Sequence, residues 1–178
     1  ILIVDDHEFI HDILEKMFTL NGFVSTHAMN GKEGVEKVAE ETPDLIIMDQ
    51  MMPVMDGLSA TKEIRKNHDA NRLPIIFFTA KNDKSTLVEV LNAGANDYIT
   101  KPFEKEELIA RVTAHLRIRT LQGKLEKRTF ELDNANKEIK LLNDEVLGKN
   151  KILRKRVYDL NNLFEVSIKF LSELNYDD

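Results

Sequence analysis

Five short apolar runs, each closed by a turn or a polar residue and separated by an amphipathic stretch, constrain the start of this chain more than any other feature. They are Ile1–Val4, Phe23–Ala28, Leu45–Met48, Pro74–Thr79 and Asp97–Thr100, the second weak on composition. Runs of this length, apolar on both alternating positions, suit strands buried on both faces of a parallel sheet. Between them, Phe9, Ile13, Leu14, Met17 and Leu20, then Val35 and Val38, then Leu58, Thr61 and Ile64, then Leu87, Val90 and Leu91 recur at helical spacings of three and four. Regular alternation implies right-handed βαβ crossovers and a doubly wound α/β sheet. Ligands in such sheets bind beyond the carboxyl ends of the strands.

Those ends carry complementary chemistry. Strand one closes on Asp5 and Asp6, strand three on Asp49 and strand four on Thr79 and Ala80, while strand five runs into Lys101 and Pro102. A parallel sheet brings these ends to one edge, so three carboxylates, a hydroxyl and an ammonium share a crevice. Two like charges about 4 Å apart repel by roughly 4 kcal/mol at an effective dielectric near 20. The cluster therefore calls for a cation, and hard oxygen donors suit Mg²⁺ better than a softer metal. An acidic pocket with a divalent ion and a lysine is suited to receive a phosphoryl group, one carboxylate acting as nucleophile. Alone, any of these acids is an ordinary helix cap; joint placement carries the reading.

The same residues closely resemble the receiver domain of bacterial two-component response regulators, the CheY-like family. The matching text is ILIVDD at 1–6, DQMMPVMDG at 49–57, FFTA at 77–80 and AGANDYITKPF at 93–103. The resemblance covers residues 1 to about 120 and implies a flavodoxin-like five-stranded sheet in the order 2-1-3-4-5. It implies Asp49 as phosphoacceptor; Asp6, Asp49 and the Met51 backbone carbonyl as Mg²⁺ ligands, with Asp5 acting largely through water; Lys101, Thr79 and Ala80 around the phosphoryl group; and Tyr98 as the switch aromatic. The phosphoryl donor would be a histidine kinase or a phosphotransfer protein. Met51 and Lys81 occupy the positions that tune hydrolysis in the family, and an apolar Met51 is expected to hinder an attacking water. A haloacid-type hydrolase shares the strand-end aspartate and the metal, but needs a second aspartate where this chain has Met51.

His7-Glu8-Phe9-Ile10-His11 fits the H-E-x-x-H zinc signature. It opens the first crossover helix directly after Asp5 and Asp6, so zinc catalysis is rejected and both histidines are expected to be ordinary surface residues.

Residues 121–178 read differently. All four prolines and five of the seven glycines lie in the first 102 residues. The acidic excess does too: residues 1–120 hold 14 basic and 20 acidic side chains, and the remainder holds 11 of each. A cut near residue 120 separates a phosphoacceptor domain from a helical tail. In the tail one seam runs Leu121, Leu125, Arg128, Leu132, Ala135, Ile139, Leu142, Val146, Lys149 and Leu153, then Val157, Leu160, Phe164, Ser167, Leu171 and Leu174. Its spacings alternate four and three, with two successive fours around Leu153 that form a stutter. A narrow seam of this kind suits a parallel coiled-coil homodimer, and an unbroken helix of this length would extend about 85 Å. The alternative is a one-chain hairpin turning at Gly148 to Lys151. Lys149, Lys151, Arg154, Lys155 and Arg156 form a basic cluster flanked by acids, read as a solvated coil surface.

With a net charge of -6 there is no global field favouring nucleic acid, and no cysteine to form disulfides or thiolate sites. No apolar run reaches the roughly 20 residues of a membrane span, and no signal peptide is visible; a cytoplasmic location is expected. The missing initial Met and the apolar helical end read as a fragment. Residues 163–178 weakly resemble the lead-in helix before GAF-type or enzymatic output domains, and a cyclase, a phosphatase or a GAF sensor could follow. The fragment itself is expected not to be an enzyme beyond its own phosphorylation and dephosphorylation. The rival reading is a stand-alone scaffold whose helix binds a partner protein.

Overall fold

The structure is a computed structural model that describes residues 1–80 and 84–174; the side chains of 80–86 and 170–178 lie outside the described part, and with them Lys81, Leu171 and Leu174. Strands β1 (Leu2–Val4), β2 (Thr26–Ala28), β3 (Ile46–Asp49), β4 (Ile75–Ala80) and β5 (Asp97–Lys101) alternate with helices α1 (Glu8–Leu20), α2 (Gly31–Glu40), α3 (Gly57–Arg65), α4 (Lys84–Asn92) and α5 (Lys105–Leu174). All pairings are parallel, in the order β2-β1-β3-β4-β5. The expected α/β class and strand order are those observed.

Side chains along each central strand alternate between two cores. Leu2, Val4, Ile46, Met48, Ile75 and Phe77 join Val38, Ala60, Ile64 and Val90 of α2, α3 and α4. Ile3, Ile47, Ile76, Phe78 and Ile99 pack instead on Leu14 and Phe18 of α1 and on Leu108 and Val112 of α5. Burial on both faces explains why these strands read as continuous apolar runs rather than as alternating ones.

Three expectations are corrected. The second strand covers only Thr26–Ala28, not Phe23–Ala28. Phe23 lies before it and meets Phe18 edge-on with ring centres 6.2 Å apart, serving the core from a loop. On α1 the buried stripe is His11, Leu14 and Phe18, whereas Phe9 and Leu20 are 73% and 77% exposed; His11 and Phe18 stand three residues before and four after Leu14, on one face of the helix. On α4, Val90 is buried but Leu91 is 44% exposed.

By contacts between residues the chain divides into two units, Ile1–Glu126 and Lys127–Asp178. Within the first, Arg119 of α5 donates to the Arg72 carbonyl at 2.8 Å and pairs with Asp44, and Arg72 meets Glu126 at 2.9 Å. Within the second, the residues described are helical and exposed throughout. α5 runs through Gly148 without a break, so the one-chain hairpin is not formed. Glycine within a helix costs only about 1 kcal/mol relative to alanine.

Candidate functional site

At the carboxyl edge of the sheet, β1 delivers Asp5, β3 delivers Asp49 and β5 delivers Lys101. The register explains the convergence: Asp49 pairs with Phe78 of β4, and Ala80, two residues on, pairs with Lys101. Lys101 Nζ donates to Asp5 Oδ2 at 2.9 Å and to Asp49 Oδ1 at 2.5 Å, and lies 5.4 Å from the centre of the Phe78 ring. Asp49 Oδ2 accepts from the Met51 amide at 3.0 Å. Burial pushes the Asp49 carboxyl up, and Asp5 adds to this, while Lys101 and the Met51 amide offset part of it. Lys101 is held above its ordinary value because its bonds to Asp49 and Asp5 outweigh the cost of burying it.

The loop after Asp49 is built to approach closely. A Cβ on Gly57 would stand 2.1 Å from the Asp49 carbonyl oxygen and 2.9 Å from Met48 Cγ, so only glycine fits without displacing the backbone. Asp56 caps α3, its Oδ1 accepting from the Ser59 amide at 2.7 Å. Between them the Met55 amide donates to the Pro53 carbonyl at 2.7 Å across Val54, which takes a φ of 69°. This is a γ-turn, and a β-branched residue held there stores backbone strain of about 1–3 kcal/mol.

Asp6 and His7 complete the acidic side. His7 Nδ1 lies 2.9 Å from Asp6 Oδ1 and 3.2 Å from Asp5 Oδ1, and the His7 amide donates to Asp5 Oδ1 at 3.0 Å. Asp5, Asp6 and His7 form a group whose donor atoms lie within 4.8 Å of one another. Thr79 is buried, and its Oγ1 has no hydrogen-bond partner among the described residues. Tyr98 is half-buried against the core that contains Val90. Met51 exposes 74% of its surface.

His11 does not behave as a surface residue. It is buried, its Nε2 lies 2.6 Å from the Asp5 carbonyl oxygen, and its ring centre is 4.7 Å from that of His27. His7 precedes α1 and turns to the carboxylates. The two histidines of the zinc-like pattern therefore serve different neighbours, and His11 acts beneath Asp5 as a support. An isolated five-letter pattern held no signal for this role.

Three carboxylates against one ammonium leave net negative charge, and hard oxygen donors of this kind fit a divalent cation such as Mg²⁺, which receiver domains typically bind at an acidic pocket. A doubly wound sheet of this order, with two acids after β1, one closing β3 and a lysine closing β5 bonded to two of them, is the arrangement of a receiver domain. Residues 1–113 match the family model described as the response regulator receiver domain, and the chain belongs to that family. It is thus the receiver of a two-component response regulator; receiver domains in general are not enzymes.

The chain is 40% identical over 117 residues to the response regulator MprA of Mycolicibacterium vanbaalenii, covering 66% of this chain and 50% of that protein. It therefore spans half the length of that curated relative. The receiver domain of the Francisella response regulator 1452 superimposes with a TM-score of 0.60 at 35% identity, over 65% of this chain and 94% of that one. A solved two-component response regulator/GGDEF domain protein superimposes with a TM-score of 0.64 at 26% identity, over 67% of this chain and 49% of that one. Among the described residues no helix is long and apolar enough to cross a membrane.

Proposed function

We propose that Asp49 accepts a phosphoryl group from the phosphohistidine of a histidine kinase or phosphotransfer protein, and that the C-terminal helix passes the change on as a parallel homodimer. A carboxylate oxygen of Asp49 forms the new P–O bond as the P–N bond to the donor imidazole breaks, the departing nitrogen keeping the bonding pair. The observation that carries this reading is the Lys101 ammonium bonded to both Asp49 and Asp5. Asp6, Asp49 and the Met51 carbonyl would hold Mg²⁺, with Asp5 acting largely through water. Bound there, the ion supplies positive charge against the phosphoryl oxygens.

The remaining roles belong to the chain's own residues. Lys101 stays protonated and pairs with a phosphoryl oxygen. Thr79 brings a buried hydroxyl that lacks a partner among the described residues, so its donation to the phosphoryl group, beside the Ala80 amide, offsets a cost already present. Its movement leaves room for Tyr98 to turn inward, biasing the surface made by α4, β5 and α5. Exposed Met51 shields the new bond from water.

The helix would then alter register or association and so signal to a C-terminal output module. The GGDEF-containing protein, matched over its receiver-like half, makes a cyclase-type module one candidate. The test is incubation with acetyl phosphate and Mg²⁺, read by intact mass. A single phosphoryl adduct is expected on the wild type and none on Asp49→Asn or with excess chelator. An unmodified wild type, or an adduct that survives Asp49→Asn, would overturn the reading.

A further inference from the structure

The helix beyond Glu126 exposes a stripe that its own chain does not cover. Leu132, Ile139, Leu142, Val146 and Leu153 are between 54% and 59% exposed. With Ala135 and Lys149 between them they recur at alternating spacings of three and four, as the contact positions of a two-stranded coil do. Flanking rows decide which way a second strand can run. Immediately before Leu132, Ile139 and Val146 stand Glu131, Glu138 and Glu145. Immediately after Ala135, Leu142 and Lys149, on the other side of the stripe, stand Asn136, Asn143 and Asn150. One flank is acidic and the other uncharged, and all six residues are exposed.

In a parallel, in-register pair, each residue of the first row faces the residue five positions later in the partner's second row. Glu131 then meets Asn136, Glu138 meets Asn143 and Glu145 meets Asn150, with no like charges opposed. In an antiparallel pair like rows face each other, so glutamate meets glutamate along the whole flank, an arrangement that selects against that partner orientation. Lys149, a charged residue on the stripe, is met by Glu145 of its own helix at 2.6 Å, which lessens the repulsion between two such lysines at the same level.

We infer that the occupant of this stripe is a second copy of the chain, parallel and in exact residue register, and that the glutamate row at 131, 138 and 145 sets that polarity. This rests on the parallel homodimer reading above and adds its register and the residues that set its polarity.

The chain has no cysteine, so single cysteines report contacts without background. In the full chain, Leu132→Cys and Leu153→Cys made separately should each oxidise to a disulfide-linked dimer, because each faces its own copy. Mixing the two variants should yield no heterodimer linked from 132 to 153. As a second measurement, Asn136→Lys, Asn143→Lys and Asn150→Lys combined should tighten the dimer by about tenfold, through three new Glu–Lys pairs on each flank. A wild type that sediments as a dimer, with the mixed cysteine variants linking 132 to 153 and the lysines weakening association, would overturn the inference while leaving the homodimer intact. A wild type that sediments as a monomer would overturn both.

Discussion

Asp97 anchors the surface that Tyr98 adjoins. Its two carboxylate oxygens accept from Arg111 Nη1 at 2.9 Å each, Oδ1 accepts from the Tyr98 amide at 2.9 Å, and Oδ2 lies 3.2 Å from His115 Nε2. Burial alone would push this carboxyl up, but Arg111, the Tyr98 amide and His115 more than offset it, so it is held below its ordinary 3.8. A depressed acid contributes stability that is present above its unfolded value and lost as pH falls through the folded one. Asp97→Asn should therefore cost on the order of 1 kcal/mol at neutral pH, the scale of a part-exposed charged hydrogen bond. In urea melts the gap to wild type should close as pH drops below the carboxylate range; a gap that stays constant would mean the charge is not the cause. Asp49 has the opposite sign, since its raised value makes its ionised form a cost to the fold that a cation would relieve. The separate groups at strand ends were legible in the sequence as residue types. That Lys101 bonds Asp5 as well as Asp49 was not, because it depends on how far β5 and β1 splay on either side of β3.

At the scale of elements, the turn between β3 and α3 shows how packing serves the site. Gly57 lies against the carbonyl of Asp49 itself, and the strained turn at Val54 is held between Asp49 and the Asp56 cap. Gly57→Ala should lower stability by more than about 2 kcal/mol, since backbone rather than a flexible side-chain tip must move. It should also slow Asp49 phosphorylation, measured by mass against time, because the displaced atom belongs to the acceptor residue. Helical periodicity located α1 and part of its buried face, Leu14 and Met17, but Phe9 and Leu20 are apolar yet exposed, while His11 is polar and buried. A histidine that can bond a strand-end carbonyl and stack on His27 fills that place, and no spacing rule weighs a contact 16 residues away in sequence. Phe23 reads as strand in the sequence for the same reason, its core contact with Phe18 being independent of ladder hydrogen bonds.

At the scale of the whole molecule, a receiver domain is followed by a helix whose apolar stripe is exposed among the described residues. Ile139→Asp should abolish dimerisation in sedimentation, since a desolvated carboxylate on each strand at one level costs several kcal/mol. Acetyl phosphate labelling of Asp49 should be unchanged, because residue 139 lies in the other unit. The continuity of the tail was readable directly, since helical repeats are local and no proline interrupts them. The α/β class, the strand count and the residue types at the strand ends were likewise determined by the sequence alone, because buried parallel strands must be apolar on both faces and functional groups must follow them. Only the tertiary structure decided that Lys101 is shared between Asp5 and Asp49, that His11 supports Asp5 from within, and that the Thr79 hydroxyl is buried with no partner among the described residues. These depend on distances between strands remote in sequence, set by sheet twist and core packing, to which one-dimensional spacing is blind.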